Sequence, residues 1–128
     1  MTVQELMLRV KDELEARGFT TVSAKFSNLE DYAFETHAER DNKSEWRPVE
    51  GWSSPRLCGV RIEFRVVHRH NGTDTNQSVD IAVYQYKNSS GKRVSQERIN
   101  THMGDRAIKT RIDRIVKVFE ETEPEYKI

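Results

Sequence analysis

The 128-residue chain has one cysteine, three prolines, six glycines and no net charge, with 21 Lys and Arg set against 21 Asp and Glu. Each scarcity removes a class of protein. A lone Cys58 forms no disulfide within the chain and belongs to no CxxC pair, so a disulfide scaffold is not expected. Cancelled charge withdraws the whole-molecule attraction that steers proteins to nucleic acids or membranes, and leaves only local clusters to supply one. No apolar run approaches the roughly 20 residues of a membrane-spanning helix. The opening MTVQELMLRVKDELEARG is acidic and amphipathic rather than a secretion signal. We therefore expect no membrane partner and a cytoplasmic location in which Cys58 stays reduced.

Hydrophobic residues make up 35% of the chain and charged residues 33%, which implies a small core under a heavily charged surface. Clear apolar patterning without net charge argues against disorder, and the length suits one domain, residues 1–128. The charge is unevenly placed. Residues 1–41 carry five basic and nine acidic side chains, and residues 120–128 one and four. Residues 87–117 carry nine basic side chains against three acidic ones.

Val3, Leu6, Met7, Val10 and Leu14 recur at the three-and-four spacing of one helical face, Thr2 and Glu5 form a capping box, and Gly18 stops the run. This predicts a helix over residues 3–17. Residues 19–26 read as a half-buried strand. Residues 27–41 carry both a second capping box, Ser27 with Glu30, and an alternation through Tyr32, Phe34 and Thr36; composition tips the reading towards helix. Residues 42–56 hold two prolines, Gly51 and both tryptophans, which predicts one long loop.

Val60, Ile62, Phe64 and Val66, then Val79, Ile81 and Val83, alternate with polar neighbours and predict two strands joined through residues 68–77. Matching Val66 with Ile81 pairs Arg65 with Ala82 and Arg61 with Tyr86. A turn at residues 88–91 leads to a weaker strand over 92–99. Ile108, Ile112, Ile115, Val116 and Phe119 predict a second helix from Asp105, after Gly104 and before Pro124. The expected fold is α+β: an antiparallel meander with amino-terminal and carboxy-terminal amphipathic helices packed on one face.

That arrangement turns Arg61, Arg65, Tyr84 and Tyr86 to the uncovered face, where rings can stack on bases and guanidinium groups can pair with phosphates. The plain alternative is cross-strand pairing with Glu63 and Asp80. Lys87, Arg93, Arg98 and Lys92, with the outer face of the second helix, extend the basic character. In the long loop Trp46, Arg47 and Trp52 are of the types enriched at binding hot spots, though for either indole taken singly closing the end of a small core is the favoured reading.

Signals for chemistry are thinner. Asp80 followed by Gln85-Tyr86-Lys87 resembles the carboxylate and lysine arrangement of metal-dependent nucleases, but Gln85 stands where an acidic ligand is required. His37, His68, His70 and His102 supply the residue type for metal-free ribonuclease chemistry with nothing in their spacing to unite them. His68 and His70 offer two ligands, too few for a four-coordinate zinc. The Asn-x-Ser/Thr triplets at Asn42, Asn71, Asn76 and Asn88 read as turn composition. With no P-loop, dinucleotide fingerprint or nucleophile elbow, we expect no catalytic residue, resident metal or cofactor. The expected function is binding of nucleic acid or an acidic protein surface, with self-association into a homo-oligomer or an adaptor role as the alternative and a nuclease behind both.

Overall fold

A computed structural model describes residues 1–25, 34–71 and 74–124, the side chains of 23–25, 34–35, 68–71 and 74–77 excepted. The elements run α1 (Val3–Ala16), β1 (Thr20–Lys25), β2 (Phe34–Glu39), β3 (Ser44–Arg47), β4 (Arg56–Asn71), β5 (Asp74–Lys87), β6 (Ser90–Asn100) and α2 (Asp105–Glu121). All pairings are antiparallel, in the order β1-β2-β4-β5-β6, with β3 also on β4. The architecture is α+β, as patterning predicts. No helix among the described residues is long and apolar enough to cross a membrane.

Both helices pack on one face of the sheet. Leu6, Val10 and Leu14 of α1 and Ile108, Ile112, Ile115 and Phe119 of α2 share a buried cluster with Ile62 and Phe64 of β4, Ile81 and Val83 of β5, and Ile99 of β6. The capping box of α1 forms as its sequence implies, the Thr2 hydroxyl accepting from the Glu5 backbone N–H at 3.1 Å. Gly18 continues past the helix at φ +88°, a conformation that a side chain would strain. Arg9–Asp105 and Arg17–Asp113, each 2.8 Å, join the two helices across their solvent side.

Four expectations need correction. Residues 34–39 of the stretch read as helix form β2, because Thr36 and Ala38 enter the core while His37 points away, a period of two that overrides composition. The part of that reading over residues 27–33 lies outside the described residues. The loop over 42–56 contains β3, which pairs with the start of β4. The β4–β5 strands also continue to Asn71 and Asp74 rather than ending near 68 and 77, so Val66 faces Val79, Arg65 faces Asp80 and Arg61 faces Tyr84. That register differs from the expected one by two residues, which preserves which side chains share a face. Finally β6 is longer than residues 92–99, running Ser90–Asn100.

β2 and β3 lie end to end along β4. Between the pairs Ala38↔Ile62 and Ser44↔Gly59, six steps of chain stand opposite three, so the surplus loops out. At its tip Asp41 and Asn42 adopt φ of 60° and 53°, and the Lys43 N–H returns to the Arg40 carbonyl at 3.3 Å. Asn and Asp tolerate this left-handed backbone better than other side chains.

Candidate functional site

Because Val60, Ile62 and Phe64 enter the core, strand alternation sends Arg61, Glu63 and Arg65 to the opposite face. In β5 the same parity sends Asp80, Ala82, Tyr84 and Tyr86 there, and the register adds His37 from β2 and Arg98, Gln96 and Arg93 from β6. Six of the residues singled out from sequence thus meet on the open face: Arg61, Arg65, Tyr84, Tyr86, Arg93 and Arg98. Lys87 and Lys92 do not join them. They share the parity of Gln85, whose amide donates to the Glu123 carbonyl beyond α2 at 2.8 Å, so both belong to the helix-covered side.

The charges of the open face are largely spent on one another. Arg61 Nε donates to Glu63 Oε2 at 3.0 Å, and the Tyr86 hydroxyl donates to the same oxygen. Arg61 also stacks over the Tyr86 ring, 5.0 Å from its centroid. Arg98 holds Asp80 with two hydrogen bonds of 2.8 and 3.3 Å, which raises the pKa of its guanidinium. Burial, and then the neighbouring carboxylate of Glu63, push the Tyr86 phenol well above the ordinary range. Burial, followed by the charge of Arg61, lowers the pKa of His37. Tyr86 also packs tightly on β6, where a Cβ placed on Gly91 would lie 2.7 Å from the ring. Tyr86 is therefore committed to the sheet, and Tyr84, 6.1 Å away between ring centroids, is the freer ring.

Arg65 and Arg93 differ from the other two arginines. Both are exposed, and neither has an ion pair or hydrogen bond among the described residues, although Arg65 stands opposite Glu35 in the β2 register. They flank a dent of about 20 Å³ whose floor is the small side chain of Ala82 and whose walls include Glu63, Asp80, Tyr84 and Gln96. That volume accepts one water-sized group.

The tryptophans lie at the start of β4. Trp46 of β3 pairs with Leu57 and is 62% exposed, while Trp52 in the following loop is 55% exposed. Neither closes the core. Arg56 stacks on Trp52 at 3.9 Å and donates to the Asn88 carbonyl at 3.3 Å. Arg47 donates to Glu45. The base of this loop is tied to the β5–β6 turn through the Leu57 N–H on Ser89 Oγ at 2.8 Å and the Ser89 N–H on the Leu57 carbonyl at 2.7 Å. Two indoles are thus displayed on a braced support.

Sequence reading missed the turn between β2 and β3. Neither helix has a basic residue in its last turn. Lys43 supplies one from outside, donating to the carbonyls of Phe119, Glu120 and Thr122 at 2.7, 3.0 and 3.1 Å, where the helix dipole favours a cation. Arg40 donates to the Arg17 carbonyl at 2.9 Å, pairs with Glu120 at 3.1 Å and lies over the Phe19 ring at 4.7 Å. The available signal was two helix ends without cations beside a short RDNK turn. An open cleft of about 420 Å³ adjoins this turn, but the cations on its lining are drawn towards the helices.

The nuclease-like residues are not assembled: Asp80 faces the open side, bound to Arg98, whereas Lys87 belongs to the other face. Among the described residues no group of three or more His, Cys, Asp or Glu can hold a metal. His68 and His70 lie in β4, their side chains outside the description. Comparison with protein-family models, curated proteins and solved structures found no match for the chain.

Proposed function

We propose that this protein is a non-catalytic binding module that docks another protein through Trp46 and Trp52, with the open sheet face as an adjoining contact surface. It acts inside the cell, where its lone cysteine remains a thiol. The observation that carries the reading is the exposure of two large indoles on a support braced by β3–β4 pairing, the Arg56 stack and the Leu57–Ser89 bonds. Tryptophan fixed before binding loses little conformational freedom on docking, which is why it dominates hot spots.

Nucleic acid is the second reading, favoured by Tyr84 beside Arg65 and Arg93, which have no ion-pair partner among the described residues. Salt separates the two. A nucleic-acid complex with six to ten phosphate contacts weakens roughly 10³- to 10⁵-fold between about 50 and 200 mM salt, whereas an indole-anchored complex is largely insensitive. Affinity capture from host extract should retain a protein partner across that range with wild type and lose it with Trp46→Ala plus Trp52→Ala. Retention by the double variant would refute the reading.

A further inference from the structure

We infer that the dent over Ala82 receives a single carboxylate side chain from an acidic segment of the partner protein, gripped from two strands by Arg65 and Arg93. This rests on the protein-docking reading and specifies the chemistry of its partner. Glu63 is neutralised by Arg61 at 3.0 Å and Asp80 by Arg98 at 2.8 Å, so the two acids in the walls are each matched by their own arginine. Arg65 and Arg93 remain, one on β4 and one on β6, on either side of the β5 residue with the smallest side chain on this face. A dent of about 20 Å³ has room for one oxygen of a carboxylate, the guanidinium groups of Arg65 and Arg93 beside it supply donors to that group, and charge-assisted contacts of this kind are the stronger hydrogen bonds.

Gln96 in the wall and the Tyr84 hydroxyl, which has no hydrogen-bond partner among the described residues, add donors at the rim. A phosphate backbone fits less well. Of Tyr84 and Tyr86, only Tyr84 is free to stack, since Tyr86 is held by Glu63, Arg61 and its packing on Gly91. A continuous polyanion would need a row of available cations, and among the described arginines of this face only Arg65 and Arg93 lack a partner.

The test uses fluorescence anisotropy of a labelled hexaglutamate peptide on the full-length protein, with a labelled oligothymidylate of similar charge as the competing class. Hexaglutamate should bind the wild type and weaken at least tenfold in Arg65→Ala plus Arg93→Ala. Ala82→Leu, which fills the dent without changing charge, should weaken it comparably while circular dichroism stays native. Lys87→Ala plus Lys92→Ala removes the same charge from the helix-covered side and should change affinity less than twofold. No binding of hexaglutamate, equal losses in the lysine and arginine variants, or tighter arginine-dependent binding of oligothymidylate would each overturn the proposal. Trp46→Ala plus Trp52→Ala should leave hexaglutamate binding intact. Failure of tryptophan-dependent capture with hexaglutamate binding preserved would sink the docking role of the loop and not the carboxylate site.

Discussion

Arg40 and Lys43, at the turn between β2 and β3, and Arg65 and Arg93, across the dent on the open face, are pairs of cations of equal formal charge and opposite fate. The first pair reaches inward to the ends of both helices, where carbonyl groups have no partners of their own. The second pair has no partner among the described residues. A cation that satisfies orphan backbone carbonyls contributes to stability, while one held by nothing in its own fold is available to another molecule. Local charge density does not separate these cases; partnership does.

Substitutions at the two regions should differ in what they cost the fold. Phe119 is fully buried, meets Phe19 edge to face at 5.0 Å and lies beneath the Lys43 ammonium at 4.8 Å. Phe119→Ala should cost about 3–5 kcal/mol in urea unfolding. Lys43→Met, which keeps most of the stem and removes the charge from the α2 carbonyls, should cost about 1–3 kcal/mol, and a neutral result would show that the turn is decorative. Tyr86 adds a pH signature. Its folded pKa lies above the unfolded value of about 10, so its contribution is complete below that pH and is lost as pH rises towards the folded value. Unfolding midpoints should therefore fall between roughly pH 9 and 11 in wild type and fall less in Tyr86→Phe. Smallest of all, Arg65→Ala and Arg93→Ala should each change stability by no more than about 0.5 kcal/mol.

Helices α1 and α2 were legible because five apolar residues in each fall at helical spacing, and caps and breaks frame both runs. Strand β2 was not, since the alternation through Phe34 and Thr36 competes with helix-compatible composition, and only pairing with β1 and β4 decides between them. Alternation alone gave the face on which Arg61, Arg65, Tyr84 and Tyr86 meet, because parity survives a two-residue error in register. It did not give the offset, which depends on how far each strand runs into its hairpin. Still less does alternation reveal that Arg61 and Arg98 are consumed by Glu63 and Asp80, or that Lys87 and Lys92 fall on the far side. Those outcomes are tertiary. The exposure of both tryptophans belongs with them, since an indole in a loop closes a core or meets solvent according to contacts distant in sequence.

The division between committed and available cations is open to direct measurement through the arginine side-chain Nε–Hε signals of the free protein, assigned by substitution. Arg40, Arg61 and Arg98 should give dispersed signals protected from exchange with water. Arg65 and Arg93 should give signals near the unstructured shift that exchange rapidly and become protected only when an acidic peptide is added. Protection of Arg65 and Arg93 in the free protein, equal to that of Arg98, would contradict the account.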